Sequence, residues 1–300
     1  MSDNLNINWY PGHMAKTKKQ IIEDIKLMDV VVEVLDARIP ISSRNPDIEQ
    51  YIQNKDRLIL LNKSDLADET ENINWINYFK RDGREAVTIN SNTGEGIKQA
   101  IKKIVEIYSA NQKKYQIKGR VGKAIRVMVL GIPNVGKSSF INRVSNKNSA
   151  QVGNKPGVTR QKQWIRINEN IELLDTPGIL WPRFENRETA LNLAYTGTIK
   201  DEVLEIIEIG FSLLKFLVEN YLDKLVERYK LSNEEINNIL KDGELQENER
   251  ILKILHYIGK KRGAIISGGN IDEEKTARLI LEDFRNGKIG RITLEKAKQE

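Results

Sequence analysis

The segment from Gly131 to Ser138 constrains the fold of this chain more than any other. Its sequence is GIPNVGKS, which matches the pattern G-x-x-x-x-G-K-[S/T]. An apolar run at 125–130 precedes it, and a helical pattern at 138–144 follows it. A strand before and a helix after are the setting in which such a loop binds phosphate groups through backbone N–H groups and a helix N-terminus. Because both flanking patterns are present, the segment predicts a phosphate-binding loop within an α/β fold. The alternative interpretation is a glycine-rich turn that matches the pattern by chance.

The pattern also gives the residues of this loop their expected roles. We expect Lys137 to reach the β- and γ-phosphates, where it would support catalysis, and the Ser138 hydroxyl to bind Mg²⁺. The predicted nucleotide contacts of the loop are Asn134, Val135, Gly136, Lys137, Ser138 and Ser139.

Apolar runs at 30–35, 58–61 and 86–89 alternate with helical patterns at 13–28, 70–79 and 96–108. Such alternation is typical of a mostly parallel sheet flanked by helices. The runs at 163–167 and 171–174 predict an antiparallel pair, and Pro40 and Pro46 predict a loop. The basic stretch 111–126 is either a linker or a loop that faces a polyanion.

Beyond residue 185 the strand patterns nearly vanish. Helical periodicity runs from 202 to 229, Ser232 and Asp272 are candidate N-caps, and Thr293 could start a last short helix. We therefore predict two domains, an α/β nucleotide-binding domain over residues 1–184 and an all-helical domain over residues 185–300.

Charge and composition limit the function classes. The net charge is +6, and residues 1–184 carry 29 basic and 20 acidic side chains, whereas residues 185–300 carry 19 and 22. A basic first part fits a polyanionic partner besides the nucleotide, and general solubility is the alternative. The absence of cysteine excludes disulfides and thiolate metal sites. With a polar N-terminus and no apolar run of about 18 residues, we expect a cytoplasmic protein that does not insert into membranes.

The segment Asn62-Lys63-Ser64-Asp65 follows a predicted strand, at the end where α/β proteins bind ligands. A carboxylate at Asp65 can accept hydrogen bonds from N1–H and the N2 amino group of guanine, a donor pair that adenine lacks. Asn62 could contact the base or brace the phosphate loop, and the stem of Lys63 could lie along the base. A solvated turn is the alternative. This segment predicts guanine selectivity.

Two other strand ends complete the predicted site. Asn90 and Ser91 follow a strand, and the Ser91 backbone N–H could close over the base. The segment Asp175-Thr176-Pro177-Gly178 also ends a strand; Asp175 would hold Mg²⁺ through water, and the Gly178 N–H would meet the γ-phosphate. Thr159, between these segments, would complete the Mg²⁺ shell.

The order of these elements is unusual, because the base-recognition segments precede the phosphate loop. Cutting and rejoining a compact domain keeps its contacts when its ends lie close together. This order, the start at Trp9 to Lys16, Asp36-Ala37-Arg38, the phosphate loop and Pro156 to Arg160 resemble the circularly permuted ribosome-assembly GTPases. The resemblance covers nearly the whole chain. It implies a circularly permuted P-loop GTPase domain followed by a C-terminal helical domain that binds RNA or the ribosome.

The resemblance also implies slow GTP hydrolysis that the large ribosomal subunit stimulates. Many GTPases place a water-orienting Gln after Asp-x-x-Gly, where this chain has Ile179. In the family, the histidine that corresponds to His13 is thought to be catalytic on the subunit; a structural or RNA-contact role is the alternative. Asn134 resembles the asparagine that helps to bind K⁺ in potassium-dependent relatives, with stabilisation of the loop as the alternative.

Two function classes follow. The first is a GTP-hydrolysing switch that binds the precursor of the large subunit and its rRNA and promotes a late assembly step. The second is an adaptor that responds to GTP or GDP and for which hydrolysis is incidental. We expect a monomer with GTP or GDP and Mg²⁺ as ligands.

Overall fold

The computed structural model describes residues 13–52, 55–110, 124–145, 163–178 and 186–298, with the backbone only for 13–18 and 163. The chain divides into two compact units, Met1–Ala190 with Thr293–Glu300, and Leu191–Ile292. The boundary thus lies six residues after the predicted one. The end of the chain, which we assigned to the helical domain, belongs to the first unit.

A six-stranded sheet forms the centre of the first unit. Its strands are β1 (Val30–Asp36), β2 (Asp56–Asn62), β3 (Glu85–Ile89), β4 (Ile125–Leu130), β5 (Gln163–Asn168) and β6 (Ile171–Asp175). Their order is β3-β2-β1-β4-β6-β5. All neighbours are parallel except β5 and β6, which form the predicted antiparallel pair. Every residue of β1 is buried, as expected for a strand at the centre of a parallel sheet.

Helices flank this sheet. They are α1 (His13–Ile25), α2 (Pro46–Ile52), α3 (Glu69–Arg81), α4 (Ile97–Ala110) and α5 (Lys137–Ser145). A further helix, α6 (Arg187–Tyr195), begins in the first unit and ends in the second. Apolar residues of α1, α2 and α3 pack on the sheet. The connection through α4 runs back across the sheet to β4, so a right-handed crossover puts α4 on the opposite face.

The sequence predicted a loop at Pro40 and Pro46. This prediction was wrong at Pro46, where α2 begins. Proline is well suited to the first position of a helix, since its missing N–H would have no helical partner there. Two prolines close together in the sequence concealed this short helix.

The second unit is helical. After a 3₁₀ turn at Asp201–Val203 it contains α7 (Ile206–Asn220), α8 (Leu222–Tyr229), α9 (Asn233–Lys241), α10 (Glu247–Lys261) and α11 (Glu273–Arg285). Tyr221 interrupts the helical run that we predicted from 202 to 229, with φ −144° and ψ 37°. Both predicted caps are confirmed: Ser232 Oγ accepts from Glu235 N, and Asp272 Oδ1 accepts from Lys275 N. None of the helices described here is long and apolar enough to cross a bilayer.

The C-terminal segment, residues 293–298, packs on the first unit and forms no helix, so the helix predicted from Thr293 was wrong. Leu294 N donates to Arg38 O at 2.8 Å, and Trp75 Nε1 donates to Glu295 O at 2.9 Å. The Glu295 carboxylate accepts from the backbone N–H groups of Ile41 and Ser42, at 2.6 and 2.9 Å. These contacts fix the segment against α3 and the loop that follows β1.

Candidate nucleotide-binding site

The predicted site residues lie at one edge of the sheet. Asn62 ends β2, Asn90 follows β3, Gly131 follows β4 and Asp175 ends β6. These four strands are parallel members of one sheet, so their carboxyl ends share an edge, the usual ligand edge of an α/β fold. The fold thus brings together segments that are 113 residues apart in sequence, from Asn62 to Asp175.

The phosphate loop joins β4 to α5 and turns sharply at Asn134, whose φ of 63° lies in the left-handed region. Lys137, the first residue of α5, is buried, and its Nζ donates to Ile132 O at 2.9 Å. Burial lowers the pKa of Lys137 to about 8, and the Asp175 charge opposes this shift. The ammonium group is therefore held within the loop that is predicted to bind phosphates. Ser138 and Ser139 follow at the partly buried start of α5.

Asp175 is buried at the end of β6, and the Thr176 hydroxyl after it donates to Val129 O at 2.7 Å. Burial raises the pKa of Asp175 to about 6, while Lys137 opposes the shift. Its Oδ1 has no hydrogen-bond partner in the part of the chain that the structure describes. A buried carboxylate oxygen of this kind is a suitable Mg²⁺ partner, directly or through water, so Asp175 and Ser138 fit the metal that a GTP-binding fold implies.

Gly178 lies directly against the phosphate loop. A Cβ atom at this position would lie 2.8 Å from Pro133 N and 2.9 Å from Lys137 Nζ, closer than real Cβ contacts. Only glycine therefore fits here without a shift of the loop. The segment from Asp175 to Gly178 thus approaches the predicted γ-phosphate position.

The Asn62 side chain joins the base-recognition segment to the phosphate loop. Its Nδ2 donates to Val135 O at 2.7 Å, and its Oδ1 accepts from Ser91 N at 3.1 Å and from Ser91 Oγ at 2.9 Å. A Cβ on Gly136 would lie 2.2 Å from Asn62 Nδ2, so the loop approaches this amide as closely as glycine permits. The sequence allowed Asn62 either to contact the base or to brace the phosphate loop. In this structure its side chain makes the hydrogen bonds of a brace.

The loop after β3 is fixed in a similar way. Asn90 Oδ1 accepts from the backbone N–H groups of Asn92 and Thr93, at 2.9 and 3.1 Å. Arg143, on α5, donates to Ser91 O at 3.1 Å. The Ser91 N–H, which we expected to reach the base, is directed to Asn62 in this structure. Ser91 therefore positions the loop through both its backbone and its hydroxyl.

Sequence reasoning gave no role in the site to Asp36 and Arg38, which form a charge cluster with Lys63 of the base-recognition segment. Asp36 Oδ1 accepts from Arg38 N and Nε, at 3.1 and 2.9 Å, and Oδ2 accepts from Arg38 Nη2 and Lys63 Nζ, at 2.8 and 2.9 Å. Burial opposes ionisation of Asp36, yet Arg38 and Lys63 hold the pKa of its carboxyl well below the usual range. The signal in the sequence was a buried strand that ends in Asp-x-Arg.

The rest of the base-recognition segment is divided between the interior and the surface. Ser64 is buried, and its Oγ donates to Ile89 O at 3.0 Å. Asp65 is exposed. Buried neighbours thus hold the turn, and the carboxylate predicted to select guanine faces solvent.

Several predicted residues lie outside what the structure describes. Thr159, Ile179, the start at Trp9 and most of the basic stretch 111–126 lie outside the described residues. His13 is the first residue of α1, but its side chain is not among those described. The roles expected of these residues remain predictions.

Comparisons with known proteins agree with this geometry. A family model described as a 50S ribosome-binding GTPase matches residues 126–256. Ribosome biogenesis GTPase A of Bacillus cereus is 44% identical over 289 residues, which cover 96% of this chain and 93% of that protein. This chain belongs to the ribosome biogenesis GTPase A family. The predicted family is therefore confirmed.

More distant members and a solved structure extend the comparison. Mitochondrial ribosome-associated GTPase 1 of Mus musculus is 35% identical, over 96% of this chain and 90% of that protein. The crystal structure of GNP-bound YlqF from T. maritima has a TM-score of 0.63 and 26% identity, and covers 95% of this chain and 100% of that chain. The predicted fold class, a circularly permuted P-loop GTPase domain with a C-terminal helical domain, is confirmed.

Proposed function

We propose that this chain is a GTP-hydrolysing switch that binds the precursor of the large ribosomal subunit and promotes a late step of its assembly. The observation that carries the proposal is the Asn62 brace, which joins the guanine-selecting segment to the phosphate loop within one site. Relatives that match nearly the whole chain are named ribosome biogenesis GTPases. A partner of this kind also implies a cytoplasmic location.

Hydrolysis needs a group that orients water, and the position after Gly178 holds an isoleucine rather than a glutamine. An apolar side chain cannot orient water. We assign this task to His13, because a neutral imidazole can accept a proton or orient a water molecule. Docking on the large subunit would bring His13 to the phosphates, so intrinsic turnover is slow and the subunit stimulates it.

The phosphate loop would provide the second contribution. Asn134 has a left-handed backbone at the turn of the loop and a partly buried side chain. Its amide oxygen is a suitable ligand for K⁺, and a monovalent cation beside the phosphates would stabilise developing charge as an arginine does in other GTPases. Mg²⁺, held by Ser138, Asp175 and Thr159, would neutralise the phosphate oxygens.

The helical unit would contact rRNA through local basic patches, since residues 185–300 are acidic overall. Lys260, Lys261 and Arg262 are exposed at the end of α10. Arg262 lies over the Tyr229 ring at 5.2 Å, and Lys261 lies over the Tyr257 ring at 5.5 Å. Cations held against aromatic rings at a helix end form a compact surface for phosphate groups.

The test is GTP turnover of the full chain with and without purified large ribosomal subunits, in K⁺ and in Na⁺. We expect subunits to raise turnover, K⁺ to exceed Na⁺, and His13→Ala to lose the stimulation while it keeps its GTP affinity. Lys19→Ala is the matched control, because this exposed side chain also lies on α1.

Equal turnover with and without subunits would contradict the assembly role and favour an adaptor that responds to nucleotide. Full stimulation of His13→Ala would remove this residue from catalysis. Equal rates in K⁺ and Na⁺ would leave Asn134 with the loop-stabilising role.

A further inference from the structure

Asp36 and Arg38, which form a cluster with Lys63, have no role in the mechanism described so far. Asp36 and Arg38 are buried, at 2% and 1% exposure, and they sit at the end of β1 between the strands of the base segment and the phosphate loop. Burying ionised groups is costly unless they are paired with good geometry. A cluster of this kind directly beside a ligand edge requires an explanation beyond packing.

The geometry of the cluster fixes the direction of the Lys63 side chain. Arg38 forms a fork with both carboxylate oxygens of Asp36, which leaves the carboxylate rigidly oriented. Lys63 Nζ then donates to Asp36 Oδ2 at 2.9 Å. The ammonium group is thereby directed toward β1 and away from the surface, although the Lys63 side chain is still 23% exposed.

The carboxylate nearest to Lys63 in the sequence is Asp65, which follows two residues later on the same turn. Burial is the main influence and lowers the pKa of Lys63, but the charges of Asp36 and Asp65 both oppose this shift. Among the described residues, the Lys63 ammonium group forms its ion pair with Asp36 and not with Asp65. The Lys63 backbone is left-handed, with φ 61°, and Leu66 N donates to Lys63 O at 2.9 Å, so one tight turn carries both Lys63 and Asp65.

We propose that Asp36 and Arg38 are specificity-determining positioning residues, which hold the Lys63 ammonium group away from Asp65 and so keep the Asp65 carboxylate available for the guanine base. This inference rests on the proposed role of Asp65 in guanine selection. Without the Asp36 charge, Lys63 would pair with Asp65 and compete with N1–H and the N2 amino group of the base. Arg38 acts through Asp36, because it donates hydrogen bonds to both oxygens of that carboxylate and so fixes its orientation and favours its ionised form.

The experiment compares the affinities of the full chain for GDP and IDP, because inosine lacks the N2 amino group. In Asp36→Asn we expect the preference for GDP over IDP to fall about tenfold, on the order of one charge-assisted hydrogen bond. In Lys63→Met we expect both affinities to fall together, because the predicted contact of the Lys63 stem with the base is altered, while the ratio of GDP to IDP affinity stays at the wild-type level, since no ammonium group remains to mask Asp65. In the double variant of these two, Asp36→Asn should cause no further fall.

A second variant covers the case in which Asp36→Asn does not fold because it leaves Arg38 buried and without its partner carboxylate. Asp36→Asn combined with Arg38→Gln removes both charges, which is tolerated better than removal of one. It also releases Lys63, so the same loss of preference is expected. A purely structural role would lower stability and the affinities for GDP and IDP together, without changing their ratio.

An unchanged GDP preference in both Asp36 variants would overturn the inference. An equal fall in the presence and absence of the Lys63 ammonium group would also overturn it, because Asp36 would then not act through Lys63. Asp65→Asn separates this inference from the base assignment: if the wild type and Asp65→Asn show the same ratio, guanine selection by Asp65 is refuted, and the inference falls with it.

Discussion

Replacement of Asn62 by alanine tests the brace between the base segment and the phosphate loop. The change removes one donated and two accepted hydrogen bonds, and it leaves Val135 O and Ser91 N without these partners in a buried region. A net contribution of about 1 kcal/mol for each bond, and a further cost for the buried groups left behind, predict a loss of about 3 to 5 kcal/mol in unfolding free energy. Ser91→Ala removes only the hydroxyl bond and should cost about 1 kcal/mol.

Urea unfolding of the nucleotide-free chain, followed by tryptophan fluorescence, measures this difference. All four tryptophans lie between residues 9 and 181, so the signal reports the first unit and not the helical one. Asn62→Ala should lower the urea midpoint with little change in slope, and it should do so several times more than Ser91→Ala. Equal shifts for the two variants would refute the brace.

Nucleotide affinity provides an independent check of the same residue. Because the Asn62 amide is committed to Val135 and Ser91, Asn62→Ala should weaken GDP and IDP binding by the same factor. A loss confined to GDP would show that Asn62 contacts the base instead.

Three further perturbations test other parts of the structure. Burial raises the pKa of Asp175 from 3.8 to about 6, so ionisation of this carboxyl destabilises the native state as the pH rises through this range. In urea unfolding, Asp175→Asn should therefore stabilise the nucleotide-free chain by about 1–2 kcal/mol at pH 7.5. At pH 4, where the carboxyl is neutral in the native state, the same variant should have little effect. Glu295→Gln weakens the acceptor for two backbone N–H groups and should cost about 1–2 kcal/mol in the same assay, whereas exposed Lys296→Gln should cost almost nothing. Gly210→Ala should lower the thermal unfolding midpoint of the helical unit by several degrees in far-UV circular dichroism, because a Cβ at residue 210 would lie 2.5 Å from a side chain of α11. Gly243→Ala is the control: a Cβ at residue 243 meets nothing within 4 Å, so the midpoint should not change.

Local signals predicted the parts of the fold that depend on local chemistry. The strand before the phosphate loop is confirmed at 125–130, because an apolar run of six residues that ends at a glycine is too short for a typical helix. The caps at Ser232 and Asp272 are confirmed for a similar reason, because side-chain capping involves only neighbours in sequence.

Tertiary contacts decided what the sequence could not. Residues 293–298 have an ordinary helical pattern, but hydrogen bonds to Arg38, Trp75 and Ser42 hold them in another conformation. The role of Asp36 was invisible for the same reason, since its partner Lys63 lies 27 residues later and meets it only because β1 and β2 pair in parallel. Patterns in the sequence identify which strand ends carry polar residues, whereas the sheet decides which of these residues meet.

The central claim is that Asp65, placed before the phosphate loop in sequence, selects guanine at this site. The most direct measurement compares GDP with xanthosine diphosphate for the wild type and Asp65→Asn. Xanthine has a carbonyl group where guanine has its amino group, so an asparagine amide can donate where the aspartate had to accept. We predict a strong preference of the wild type for GDP and a reversed preference in Asp65→Asn. An Asp65→Asn variant that still prefers GDP as strongly as the wild type would contradict the account.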